Sequence, residues 1–486
     1  MAAACTVGAP PEDEGQGHDA GSSPTAGPWD VPGLVDRSGS PVAIPRPASV
    51  TGRTLDVTGF GADPAPDGGD DAPAIRSALA AAGDGDEVYL PPGTYDLRSA
   101  DPSDRSANLV LRSGVDLRGA GRLRTVLRTS FDGEDDSRVI RGAAVHDVIV
   151  AGLSITSRHT GPLGEDPDDG GGGGGPKYGI HLSAADGRPS SRVLVEDVAV
   201  SRFERHGISV KSSREVVISG NRVADATAVG PGGQGYGIVI EGSAGRRDPD
   251  SADDARHNVV IGNRIDGRHL RHAILLQFPT HNNLIADNRI DGSILDAVDL
   301  HGEGEYLNEI RDNTVLDGRR AGIALGNSGG AKHQHDASGA GNWIHSNDLA
   351  GNRQGILVIL GTPDTLIEDN SISAGARSTT GIELRNAPGT IVRGNRITGP
   401  AEDFWAIRLR RDRGADGRGA GIPERVLLEA NEIHGVDRGV RIDAGRDITL
   451  AGNDLDGVHG EDLRVADGAD VEVRPGPAPR RDGAEP

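Results

Sequence analysis

Cys5 is the only cysteine among 486 residues, so no internal disulfide can form. Aromatic residues make up 3% of the chain and hydrophobic residues 35%, while glycine is abundant at 73 positions, as thin coils with many corners require. There is no hydrophobic run long enough for a membrane-spanning helix, and the chain as written carries no complete signal peptide. Basic residues are outnumbered, 51 Lys and Arg against 73 Asp and Glu. The net charge of −22 excludes the broad basic face that nucleic acid needs. It also disfavours a polyanionic ligand unless basic residues gather locally. Lysine is nearly missing: Lys177, Lys211 and Lys332 stand beside 48 arginines.

What the chain does have is a repeat. Residues 297–315, AVDLHGEGEYLNEIRDNTV, alternate apolar and polar side chains and then close on Asn313. The same first word returns as YGIHLS from Tyr178, HGISVK from His206, YGIVIE from Tyr236, HAILLQ from His272, AGIALG from Ala321, QGILVI from Gln354, TGIELR from Thr380, WAIRLR from Trp405 and RGVRID from Arg438. Each has a small second residue and two inward aliphatics. A second word ends on Asn221, Asn263, Asn288, Asn313, Asn347, Asn370, Asn395, Asn431 and Asn453, mostly 22 to 25 residues apart. The longer intervals contain Gly- or Asp-rich insertions. A coil of this length with two or three short strands and no helix is one turn of a parallel β-helix, an all-β solenoid. Stacked at one corner, each asparagine amide can bond its equivalent in the next coil. Asn258, Asn283, Asn308 and Asn342 form a shorter second ladder.

The chain reads as three parts: a disordered tether over 1–50, the β-helix over 51–473, and a disordered tail over 474–486. The opening MAAAC resembles the end of a bacterial lipobox. That resemblance implies a lipid anchor at Cys5 and a secreted or cell-surface lipoprotein, and an ordinary soluble N-terminus is the alternative. An Asp-capped helix from about Ala72 to Ala82, with Asp70 or Asp71 at its N-cap, would plug the open end of the solenoid. The insertion GEDPDDGGGGGG within 159–176 reads as a tolerated loop or a flap beside a groove. The words GFGA, DDAPAI and VYLPPGTY, in that order, resemble the opening of the pectate-lyase-like superfamily. With the repeats, the resemblance covers roughly 55–470 and implies a right-handed parallel β-helix that acts on polysaccharide.

Stacking the words yields an outward polar column of Lys211, Glu241, Gln277 and His301, about 14 Å long at ~4.8 Å per coil. Insertions around 242–255 and 326–341 would wall it into a groove. A lysine kept where arginine is the rule points to a tunable amine, a candidate base. Asp299 and His301 lie on the same outward face two residues apart, about 7 Å by strand geometry. This Asp-x-His resembles the Asp-Pro-His-Asp motif of mannuronan C5-epimerases, with Leu300 in place of the proline and Gly302 in place of the last aspartate. Tyr236 is the candidate acid, with Tyr178 and Tyr306 as alternatives. Further substrate-binding candidates are Arg271, His272, Glu303 and Arg385. No metal or other cofactor is expected. Asp166, Asp168 and Asp169 could hold calcium but too few spaced ligands follow, and His333, His335 and Asp336 could bind zinc but lack recognisable further ligands.

Lyases acting on uronates need a base for the C5 proton, donors for the carboxylate and an acid for the leaving oxygen. The expected function is β-elimination of an alginate- or pectate-like polysaccharide by a monomer. Alternatives are a C5-epimerase, a glycoside hydrolase and a non-catalytic glycan-binding β-helix.

Overall fold

The computed structural model describes residues 34, 40–44, 47 and 50–475, save 66–68, 135, 169–172, 244–253, 303, 327–336 and 416. Thirteen of its strands pair in parallel into one narrow sheet. They are β1 (Ala107–Val110), β2 (Arg138–Ala143), β3 (Tyr178–Ser183), β4 (His206–Lys211), β5 (Tyr236–Glu241), β6 (His272–Gln277) and β7 (Val298–Leu300), followed by β8 (Ala321–Leu325), β9 (Gln354–Val358), β10 (Thr380–Arg385), β11 (Trp405–Arg410), β12 (Arg438–Ile442) and β13 (Leu463–Val465). A second sheet of 28 strands wraps the remaining faces, also in parallel. A typical coil contributes one strand to the narrow sheet and two short ones to the other, such as Val259–Ile261 and Arg264–Asp266, with Asn263 at the corner between them. The architecture is a right-handed parallel β-helix.

Period-2 alternation decides which side chains fill the bore. Ile180, Ile208, Ile238 and Ile274 occupy equivalent positions on successive rungs and are wholly buried, as are Leu182, Val210, Ile240 and Leu276 two residues on. The small second residue of each word has a steric cause. A Cβ on Gly207 would come within 2.7 Å of the Gly237 carbonyl oxygen, and one on Gly237 within 2.4 Å of the Ala273 oxygen.

The nine asparagines do stack at a single corner. Each Nδ2 from Asn221 to Asn431 donates to the Oδ1 of the next asparagine at 2.7–3.0 Å. The same amide also donates to a backbone carbonyl of the preceding coil, as Asn313 does to Ile285 at 2.9 Å. The shorter ladder from Asn258 to Asn342 repeats the arrangement. These corners are buried, so each bond satisfies a group that water cannot reach.

The N-terminal end is covered by α1 (Ala72–Ala81), whose Ile75, Ala78 and Leu79 join the core of the coils. Asp71 holds the N-cap position, but its carboxylate accepts from Asp63 and Asp96 backbone amides. It is Asp70 that accepts from the Ala72 amide at 3.2 Å. Within 1–50, Leu34 and Ile44 are buried on the outside of the large sheet against Leu194, Val217, Val259, Leu284 and Ala286. The cause is an apolar stripe on an outward sheet face, which water alone would cover poorly. Cys5 and the tail beyond 475 lie outside the described residues.

Candidate active site

On β3 to β6 the first residue of each word points outward, and the register places each over the next. Tyr178 pairs with His206, His206 with Tyr236, and Tyr236 with His272. Their rings form a continuous ladder with centroids 5.0, 5.3 and 5.4 Å apart, which His301 on the following coil extends at 5.8 Å. Burial disfavours charge on the rings of Tyr178, His206, Tyr236 and His272. It lowers the imidazoles of His181 and His272 to about 3 and that of His206 well below its ordinary value, and it pushes the Tyr236 phenol up to about 12. His206 Nδ1 is buried without a hydrogen-bond partner.

This ladder floors a groove of about 940 Å³ running from β2 to the end of β7. Lys211, Glu241, Gln277 and His301 line it together, as their column predicted. Arg138, Arg141, Arg205, Lys211 and Arg271 also line it, against the carboxylates Asp136, Asp168 and Glu241. Basic residues therefore gather here in a chain of net charge −22. Glu241 is the hub of the column: Gln277 Nε2 donates to its Oε2 at 2.6 Å, and Lys211 Nζ lies 3.5 Å from its Oε1.

At the far end of the groove, Asp299 and His301 are much closer than strand spacing suggested. His301 Nδ1 is 2.6 Å from Asp299 Oδ2, because the two side chains lean together instead of standing parallel at about 7 Å. Asp299 is buried beneath the groove, with His272 Nδ1 3.5 Å from the same oxygen. Burial works to raise its carboxyl, but the polar groups around it, the His272 and His301 rings and the Arg320 guanidinium, hold it below the ordinary range. Its neighbour Asp296, facing Arg320 at 3.1 Å, is instead pushed up by burial. With a neutral ring whose Nδ1–H is engaged by Asp299, Nε2 carries the lone pair, the arrangement of a general base.

The remaining candidates fall in different places. Asp299 and His272 are not among the residues lining the groove; they lie behind His301. Lys211 is ion-paired with Glu241 and its side chain is 42% exposed, which suits a cation that meets a substrate carboxylate better than a base. Arg271 lines the groove, but its Nη1 donates to the carbonyls of Val229 at 2.8 Å and Pro167 at 3.0 Å. It therefore helps hold the 159–176 insertion in place, so the insertion forms part of the groove wall through Pro167 and Asp168. Tyr306 sits on the large sheet, stacked on His281 at 4.7 Å, because it follows a corner and not the first word. Arg385 lies on β10, bonded to Glu383 at 2.6 Å, beyond the groove. Glu303, the loop of His333, His335 and Asp336, and most of the 242–255 and 326–341 insertions lie outside the described residues.

Sequence reading missed Arg138, Arg141, Arg205, His181 and His206. A signal existed for His206, since the first letters of four successive words run Tyr, His, Tyr, His. None existed for Arg138 and Arg141, whose coil lacks the small second residue that marks the word.

Among solved structures the chain is similar to the Azotobacter vinelandii mannuronan C-5 epimerase AlgE6 A-module at 18% identity and a TM-score of 0.50, covering 87% of this chain and 99% of that one. It is similar to the Dettilon tailspike protein at 14% identity and a TM-score of 0.55, covering 85% and 68%. It also matches PfbA, a surface adhesin of Streptococcus pneumoniae, at 16% identity and a TM-score of 0.54, covering 86% and 93%. The shared fold is the parallel β-helix. At these identities the likeness establishes the architecture and leaves the activity to the residues. No curated protein sequence matches the chain. The family described as periplasmic copper-binding protein (NosD) matches residues 303–460, less than half of the chain.

Among the described residues, the one trio of His, Cys, Asp or Glu donors close enough to share an ion is His272, Asp299 and His301, within 4.8 Å of one another and outside the matched segment. Asp299 Oδ2 there lies 2.6 Å from His301 Nδ1 and 3.5 Å from His272 Nδ1.

Proposed function

We propose that the groove holds an acidic polysaccharide and that His301, oriented by Asp299, removes the C5 proton of a uronate unit, with β-elimination completing the reaction. The contact of 2.6 Å between His301 and Asp299 at the floor of a locally basic groove carries this reading. Asp299 fixes the tautomer and stabilises the imidazolium that forms on proton transfer. Lys211 and Gln277, joined through Glu241, offer positive charge and an amide to the substrate carboxylate, lowering the acidity barrier at C5. Tyr236, whose phenol stays protonated because burial raises it to about 12, is the acid for the leaving oxygen. A substrate of this size places the protein outside the cytoplasm, in keeping with a family named as periplasmic and a structural neighbour that is a surface adhesin.

Epimerisation is the second reading, favoured by the Asp-x-His pair and by the likeness to a mannuronan C-5 epimerase module. It shares the first proton transfer and returns a proton to the opposite face. Incubation with alginate and pectate in deuterated water tests both. Unsaturated uronate absorbance supports elimination, deuterium at C5 without it supports epimerisation, and binding without either marks a glycan-binding protein. No binding to any uronate polymer overturns the proposal.

A further inference from the structure

The groove has two unlike ends. At β2 it opens between cations. The Arg138 guanidinium lies 5.3 Å from the Tyr178 ring centre, and that of Arg205 lies 5.9 Å from the same ring. Their charges are poorly matched by nearby acids. Arg138 has Asp136 at 3.9 Å, on a carboxylate 67% exposed, and Arg205 donates to the backbone carbonyls of Gly232 and Gly233. Burial of Arg138 weakens its hold on its proton, and its Nε is buried with no partner. A guanidinium pair astride an aromatic face suits a carboxylated sugar, with the ring for its apolar side and the cations for its charge.

At the other end, the polar floor stops one rung past His301. The position of Asp299 on β7 becomes Ala324 on β8 and Leu357 on β9, both buried. Ala321, Ala324, Leu357, Ile359 and Leu360 form an apolar patch that Ala415 covers. Ala415 belongs to a hairpin pinned by the bridges Asp412 to Gly421 and Ala415 to Arg418. The hairpin follows β11 and reaches back over the sheet, where the Asp412 carboxylate accepts from the Leu360 amide at 3.0 Å. Asn386 Nδ2 donates to the Gly419 carbonyl at 2.9 Å, holding the hairpin from below. A β-helix groove made for the middle of a polymer runs open at both ends. Here the polar lining ends at His301, and the hairpin packs on the turns after β9 and β10, further along on the side of the base.

We infer that the site recognises a chain end: an anionic polysaccharide enters past Arg138 and Arg205, and its reducing end points toward the 411–421 hairpin, with the reducing-end unit, whose O4 carries the bond to be broken, at His301. Five rungs separate β2 from β7, ~24 Å, the span of a short oligosaccharide. This rests on the acidic-polysaccharide reading above. It adds that the protein works inward from a terminus and gains affinity from carboxylates several units away.

The test needs no altered protein. Binding of hexameric mannuronate, guluronate and galacturonate is compared with binding of the same hexamers carrying a bulky fluorophore at both ends. Blocking is expected to weaken the binding of the preferred hexamer by about ten-fold or more. Equal binding of blocked and free hexamers overturns the inference and leaves the acidic-polysaccharide reading intact. Failure of every hexamer to bind overturns both. Replacing 412–421 with a short Gly-Ser link restores binding of the blocked hexamer. Arg138→Gln with Arg205→Gln weakens the hexamer about ten-fold but leaves a disaccharide unchanged; a matched loss for both ligands counts against the remote subsite.

Discussion

His301 Nδ1 stands 2.6 Å from Asp299 Oδ2, and the same oxygen is 3.5 Å from His272 Nδ1. The buried carboxylate thus orients the imidazole that reaches the groove, while His272 Nδ1 is hydrogen-bonded to the Asp296 carbonyl at 3.1 Å. The imidazole facing the groove is equipped to take a proton, and the buried one serves as packing.

Removing the base is therefore expected to abolish turnover while sparing the fold. His301→Gln should lower uronate turnover by about 100- to 10,000-fold. Asp299→Asn should also lower it, and shift its pH profile as well, because the imidazolium loses its counter-charge. Product formation and C5 deuteration measured across pH check this. Near-full activity in His301→Gln places the base elsewhere.

Tyr236→Phe tests the acid. The ring remains between His206 and His272, so unfolding temperature should hold steady while product formation drops by about 100-fold or more. Retained elimination in this variant removes Tyr236 from the reaction.

The asparagine corner is expected to matter for stability alone. Asn313→Ala deprives Asn288 of an acceptor and leaves the Ile285 carbonyl and the Asn347 oxygen short of donors. The cost is about 1–3 kcal/mol for each buried group left unpaired, read by urea denaturation. An unchanged midpoint would show that water replaces the lost amide.

Asp116 carries a pH dependence of its own. Burial pushes its carboxyl up to about 6, and its Oδ2 has no partner. The sign is that of a raised group: its contribution is intact below the unfolded value of about 3.9 and is lost as pH rises through about 6. Asp116→Asn keeps the acceptor for the Ile149 amide and abolishes the titration. It should leave stability nearly unchanged at pH about 3.5 and raise it by about 1–3 kcal/mol at pH about 7.5. A benefit independent of pH would assign the effect to packing.

The coil was legible because its determinants are local. Ile238, Ile240, Gly237 and Asn263 recur in fixed order, and each answers a constraint set within one turn: a filled bore, a close coil contact or a buried corner. The cap helix was legible for the same reason. The buried Leu34 and Ile44 were not, since the stripe that receives them comes from strands far along the chain.

The candidate site divides along the same line. Sequence alone determined the column of Lys211, Glu241, Gln277 and His301, because a regular register converts spacing into neighbourhood. Only the tertiary structure decided what each member touches. Side-chain torsions bring His301 onto Asp299, burial silences His272 and keeps Tyr236 protonated, and Ala415 from a hairpin after β11 packs against the apolar patch of β8 and β9. Those outcomes depend on contacts between residues tens of positions apart, and on solvent exclusion by the whole stack, which no single repeat contains.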